Sequence, residues 1–238
     1  MVVLPDVGWD WTSISGNPSL TIEMLVAFPS APWDWGHISC NPALAIDVLN
    51  QFPDKPWRWD DQGISKNSSL TAEILTKFIH KPWNWSSICK NPALNTAILS
   101  QIPAGNVKCK FVCANPSLTI EMFRLVAGDK WSFKLNGICG NPALTLDMLL
   151  VYPQGAWDWS RISCNPALTI SMLREFPSDW DWDWAAISNS DALTLEMLVE
   201  FPSVEWDWST IASNSSCTAD IIQQFPGQWS AYDIENLK

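Results

Sequence analysis

"NPALTISMLREFPSDWDWDW", residues 165–184, carries an Asn-Pro, an apolar run, a Phe-Pro and then three tryptophans. The same parts return in the same order along the whole chain. Aligned on the residue two before the apolar run, the register falls at Asn17, Asn41, Asn67, Asn91, Asn115, Asn141, Asn165, Ser190 and Asn214, in steps of 24, 26, 24, 24, 26, 24, 25 and 24 residues. Nine units share the pattern W-D-W-x-x-I-S-x-N-P-x-L-T-x-E-M-L-x-x-F-P. A fixed period of this length marks a repeat architecture. The two-residue insertions sit between the aromatic pair and the Ile, in "WRWDDQGIS" and "WSFKLNGIC", and the one-residue insertion lies at Trp180 in "SDWDWDW". All lie outside the apolar run, where a loop or helix end absorbs extra residues.

The unit predicts two helices. Asn is a strong N-cap and Pro is favoured at the first helical position. Asn17, Asn41, Asn91, Asn115, Asn141 and Asn165 are therefore expected to cap helices that begin at the following Pro. Ser68, Asp191 and Ser215 replace that Pro in three units. Each such helix is expected to run about ten residues and to stop before the Pro of "FP", because Pro disfavours a helical residue before it. In the first unit Leu20, Ile22, Met24, Leu25 and Phe28 cover more than half of the helix surface and leave Ser19, Glu23 and Ala27 open, an arc wide enough for neighbours on two sides. The "WDWxxIS" segment predicts a second, shorter helix or 3-10 turn, with Pro32 or Asp34 near its start.

One such pair cannot bury its own apolar face, but a stack can. The predicted fold is all-α: a right-handed-type solenoid of about nine repeats, forming a single domain over residues 1–238 with half units at 1–16 and 227–238. The unit near 103–114 is degenerate, with Val107 and Cys109 in the tryptophan positions, which makes it the weakest link and a candidate hinge or bend. A leucine-rich-repeat-like fold is the minor alternative, since its period is similar and "ISCNPAL" resembles its Asn-containing turn. Its L-x-L strand signal is missing, because Thr12, Gly36, Ser86 and Ser160 stand two residues before the Ile.

The seventeen tryptophans follow from the same logic. A short helix has little surface to bury, and one Trp contributes up to ~250 Å². Pairs such as Trp33 and Trp35, Trp157 and Trp159, and Trp206 and Trp208 are expected to anchor the short element. Trp180, inside an insertion, is expected to be the most exposed.

These repeats, for example "WDWGHISCNPAL" (33–44) and "WDWSRISCNPALTISML" (157–173), resemble the tandem W-D-W-x-x-I-S-x-N-P repeats of the large DNA viruses of protists, the mimivirus-like giant viruses. The resemblance extends over nearly the whole chain. It implies a viral protein of the infected host's cytoplasm or of the virion, and it brings no catalytic or binding residues with it.

Charged residues make up only 16% of the 238 and the net charge is −11. That balance argues against nucleic acid, which needs clustered Lys and Arg, and suits a basic protein partner. No apolar run approaches the length of a membrane span. The start "MVVLPDVGWDW" has no signal-peptide pattern, so the chain is expected not to be secreted. Seven cysteines, an odd number, are expected to be reduced.

Candidate chemistry is sparse. The residue six after the Asn register is Glu23, Asp47, Glu73, Glu121, Asp147, Glu196 and Asp220, with Ala97 and Ser171 interrupting. One reading is an acidic ladder for a basic partner, its carboxylates spaced by the ~10 Å helix-packing distance. The other is structural, each carboxylate accepting from a neighbouring short-helix N-terminus or a Trp indole N–H. The cysteines fall on repeat positions and are read as small buried fillers. No metal site, cofactor or nucleophile–base pair is expected, since neither His37 nor His80 lies near the Cys109–Cys113 pair in sequence. Both histidines are expected on the surface. The sequence thus predicts a non-enzymatic scaffold for protein–protein interaction. A structural or minor virion component joined end to end is the alternative, and carbohydrate binding through exposed Trp a lesser one. The outward positions Ala27, Gln51, Lys77, Gln101, Leu125, Val151, Glu175, Glu200 and Gln224 share no chemistry, as a surface displayed on a constant frame would.

Overall fold

The computed structural model describes residues 8–126, 136–153, 155–176 and 181–230. The described residues form α-helices of four to seven residues and two 3-10 turns, with no strand among them. The period of about 24 residues is carried by an alternation of two helical segments, so the chain is an all-α repeat solenoid and not leucine-rich-repeat-like. Helices this short do not hold alone in water, where about 12–15 residues are needed even for good formers. Their stability comes from stacking.

The chain divides into two compact units, Met1–Val126 and Ala127–Lys238. The division falls just after helix Ile120–Val126, one helix beyond the degenerate repeat. In the first unit the short segments Trp11–Ser15, Trp35–Cys40, Ile64–Lys66, Trp85–Lys90 and Cys109–Cys113 form one row. The longer helices alternate with them, and Ala72–Lys77, Thr96–Gln101 and Ile120–Val126 pack in a second row. In the second unit Asn136–Cys139, Trp159–Ser163, Trp184–Ser188 and Trp208–Ser213 form the short row. Its longer helices are Leu146–Val151, Ile170–Glu175, Leu195–Glu200 and Ala219–Gln224.

The longer helix starts later than the Asn-Pro predicts. Asn-Pro-x-Leu is a turn, closed by the Leu44 N–H on the Asn41 carbonyl at 2.9 Å and likewise by Leu20 on Asn17, Leu94 on Asn91, Leu118 on Asn115, Leu144 on Asn141 and Leu168 on Asn165. The six asparagines are therefore not helix N-caps. Pro presets a backbone angle that fits the second residue of a turn as well as the first of a helix. The Asn side chain completes the turn, with Asn41 Oδ1 accepting the N–H of Ala43 at 2.9 Å. The cap is the Thr four residues on. Thr21, Thr71, Thr145, Thr169, Thr194 and Thr218 are extended and accept a backbone N–H three residues ahead. Asn95 does the same, whereas Ala45 has no side chain to offer.

The Asn amide is used between repeats. Asn41 Nδ2 donates to the carbonyls of Ser15 and Asn17, both at 2.8 Å. Asn67, Asn91 and Asn115 repeat this in the first unit and Asn165 and Asn214 in the second. A parallel set of bonds runs through the Ser of "IS". Ser15, Ser39, Ser65, Ser163 and Ser188 accept the N–H of Asp34, Arg58, Asn84, Asp183 and Asp207. Cys89 and Cys139 take the Ser position, and their buried thiols accept the N–H of Lys108 at 3.5 Å and of Asp158 at 3.4 Å. They are thus more than apolar fillers.

The tryptophans divide the work. After the first half unit, where Trp9 is exposed, the first of each pair is buried at Trp33, Trp57, Trp83, Trp157, Trp182 and Trp206. Its indole N–H closes the linker, as where Trp33 donates to the Phe28 carbonyl at 2.9 Å and Trp157 to that of Tyr152 at 2.8 Å. The second, as in Trp35, Trp59, Trp159 and Trp208, meets the first Trp of the following repeat edge to face. The Trp35–Trp57 centroids lie 5.0 Å apart at 79° and those of Trp208–Trp229 5.4 Å at 88°. This is the favoured geometry for opposed ring quadrupoles. Trp180 and the outermost parts of both half units lie outside the described residues.

Candidate functional site

The positions that face outward follow from the helix start just described. With Thr21 as cap, Glu23 is the second helical residue, and Val26 and Ala27 lie one turn further along the same face. Leu25 points inward and is 1% exposed. Glu23, Asp47, Glu73 and Glu121 in the first unit and Asp147, Glu196 and Asp220 in the second are all exposed. The register thus sets a row of carboxylates on an open helix face within each unit. The variable outward positions share that face, from exposed Gln51 and Lys77 to Glu200 and Gln224.

Each carboxylate serves its own helix first. The backbone N–H of Glu23 and the Thr21 hydroxyl hold the Glu23 carboxyl below its ordinary value. Glu121 is lowered in the same way by its own N–H and by Thr119, with a smaller contribution from Arg124. A negative charge in the first turn complements the unpaired N–H groups there. The structural alternative expected from sequence is corrected in its partners. The Trp indoles donate to main-chain carbonyls, and Asp10, Asp34, Asn84, Asp158, Asp183 and Asp207 already cap the short helices. No acidic-row residue takes either role.

Among the described residues, Glu196 is the one member of the row with an ion-pair partner. Arg174 reaches forward one repeat, placing Nη2 2.8 Å from Glu196 Oε1 and Nε 2.7 Å from Glu200 Oε1, and its Nη2 also meets Glu200 Oε2. The pair lowers the Glu200 carboxyl, Arg174 being the main cause, and raises the guanidinium further. A single guanidinium therefore fits between a carboxylate at this register and the outward residue four positions on. The match follows from the fork geometry of Arg. All three side chains are solvated, so the bridge adds little to stability.

Among the described residues the polar groups nearest a hollow are already engaged. An open hollow of about 690 Å³ lies against Cys164, Asp183, Asn189, Asp191, Asp207 and Thr210. Asp183 and Asp207 spend their carboxylates as caps, and Asp191 accepts the Ser215 hydroxyl at 2.8 Å. No basic side chain lines the hollow to activate Cys164 or Thr210. Among the described residues no group of three His, Cys, Asp or Glu is placed to hold a metal ion, and no helix is long and apolar enough to cross a membrane. Cys89, Cys113 and Cys139 are buried, whereas Cys40, Cys109 and Cys164 are exposed rather than the fillers expected. His37 and His80 are exposed.

The sequence pattern pointed to the acidic row but not to the Thr caps, the Ser bridges or the Asn amide ladder. The signals were present, as a Thr two before six of the seven acidic positions and as side chains recurring 19 and 24–26 residues from their partners. No protein-family model, curated protein or solved structure matches the chain.

Proposed function

We propose that the chain is a non-enzymatic repeat scaffold that binds a basic protein segment along the open face of its longer helices. The observation that carries this is the acidic row: seven carboxylates at one register, all exposed, six of them without an ion-pair partner among the described residues. The Arg174 bridge supports this reading, an arginine seated between carboxylates of an adjacent repeat. The resemblance to giant-virus repeats supports a role in the infected cytoplasm or in the particle.

The test pairs two variants of equal charge against an Arg-rich peptide probe, followed by titration calorimetry. Asp47→Asn/Glu73→Gln/Glu121→Gln removes three members of the row, and Asp54→Asn/Asp60→Asn/Asp61→Asn removes three loop carboxylates. Row neutralisation is expected to weaken binding at least tenfold and loop neutralisation less than threefold. Equal losses would reduce the interaction to net charge and overturn the proposal.

Assembly through an end of the stack is favoured by a separate observation. Trp9 and Met24 are 45% and 44% exposed, although their counterparts Trp33 and Val48 are 8% and 7%. Growth in mass across a concentration series, abolished by Trp9→Ala/Met24→Ser, is the expected result for that role. A constant monomer mass would exclude it.

A further inference from the structure

We propose that the first unit carries a built-in opening seam, between the repeat that ends with helix Thr96–Gln101 and the repeat that begins at Val107. The other described joints of this unit share a Trp–Trp contact, an indole closure and a hydroxyl bridge, and this one lacks the first two and has the third lengthened. Trp11, Trp35 and Trp59 each meet the first Trp of the next repeat at 4.9–5.0 Å. At this joint Val107 stands in the register of the next Trp, and Trp85 has no ring partner among the described residues. Val107 has no indole N–H to close its linker on the chain before it, as Trp83 does on Phe78. Lys108 stands at the cap position and makes no capping bond, a lack shared with the short segment Ile64–Lys66. The hydroxyl that bridges the earlier joints at 2.9–3.0 Å is replaced by the Cys89 thiol at 3.5 Å.

Beside the buried apolar contacts, the polar and ring contacts that remain among the described residues include the Asn115 amide on the carbonyls of Cys89 and Asn91, both at 3.0 Å, a Ser117 hydroxyl on the Pro92 carbonyl at 3.0 Å, and Lys90 over the Phe111 ring at 4.0 Å. Lys110, on the same helix as Phe111, lies over that ring at 4.7 Å and so crowds the Lys90 contact with a second ammonium group. The linker that would pivot contains Gly105, which has open space around it. A stack with only nearest-neighbour contacts opens at its weakest joint while the blocks on either side stay folded. Opening here bares Trp85 and Cys89 and gives the scaffold one defined place to yield.

The molecule holds its own control. Cys139 fills the same Ser position in the second unit, is equally buried at 0% exposed, and bridges an N–H at 3.4 Å. Burial is the main cause that raises both thiols. The repeat after Cys139, however, keeps the Trp157 closure and the Asp158 cap. The experiment is labelling of the native full-length protein with N-ethylmaleimide, read at each cysteine by peptide mass spectrometry. Cys89 is expected to react at least tenfold faster than Cys139. Equal rates, as from global unfolding, or a faster Cys139, would overturn the proposal. In the variant Val107→Trp/Lys108→Asp/Cys109→Trp, Cys89 labelling is expected to slow at least fivefold while Cys139 keeps its rate. A folded variant in which Cys89 is unprotected would also overturn it.

Discussion

The side-chain amide of Asn41 donates to the main-chain carbonyl of Asn17, 24 residues earlier, and to that of Ser15, 26 residues earlier, both at 2.8 Å. The side chain meanwhile shapes its own turn through Oδ1. One residue thus sets the local bend and ties it to the repeat before.

Removing an inner member of this ladder leaves one carbonyl without that donor and takes the second donor from another. Asn91→Ala is expected to destabilise the protein by about 1–3 kcal/mol, since Asn91 is 1% exposed and bonds both Ser65 and Asn67, of which Asn67 keeps the Leu70 N–H. Asn17→Ala, at an exposed position, should cost less than about 0.5 kcal/mol. Urea titrations followed by tryptophan fluorescence compare the two, and similar midpoints would show that the inter-repeat bonds do not hold the stack.

The tryptophans should separate by place in the stack. Trp83 is 6% exposed, meets Trp59 at 4.9 Å and donates to the Phe78 carbonyl at 2.9 Å. Trp83→Ala is expected to cost about 3–5 kcal/mol. Trp83→Phe keeps a ring but leaves the Phe78 carbonyl with the Lys81 N–H alone, for about 1 kcal/mol. Trp9→Ala should cost under about 1 kcal/mol in urea titrations followed by circular dichroism, because Trp9 is 45% exposed.

Acid should loosen the short helices through their caps. The Thr210 hydroxyl and N–H, at 2.7 and 3.0 Å, hold the Asp207 carboxyl below its ordinary 3.8, and Asp34 and Asp10 are lowered in the same manner. A carboxyl with a depressed folded pKa stabilises at pH above its unfolded value, and that contribution is lost as pH falls through the folded one. Asp207→Asn caps without titrating, as Asn84 does for Ser87. The variant should therefore gain on the wild type as pH drops below about 4. Parallel melting curves from pH 7 to pH 2.5, with no narrowing of the gap, would refute this.

Gly63 is the sharpest steric prediction. A Cβ there would stand 2.0 Å from the Arg58 carbonyl oxygen, the same oxygen that accepts the Ile64 N–H at 2.8 Å. Gly63→Ala is expected to cost about 1–3 kcal/mol. Gly105→Ala, in open space, should be neutral or stabilising.

The amino-acid sequence by itself determined the period, the helical class and the apolar positions. It also placed the acidic register on an open face, because side-chain spacing along a short helix is a local matter of 3.6 residues per turn. It placed Asp34 near the start of the short helix for the same reason. The role of Asn41 was not legible. Asn-Pro is equally a helix start and a turn, and its bonding partners lie 24–26 residues away. Only stacking brings those carbonyls within reach and favours the turn, leaving Thr and its neighbours to begin the helix. The same holds for Ser15, whose hydroxyl meets the Asp34 N–H 19 residues on, and for the divided labour of the two tryptophans. These assignments depend on which repeat lies beside which, and the tertiary structure alone decides that.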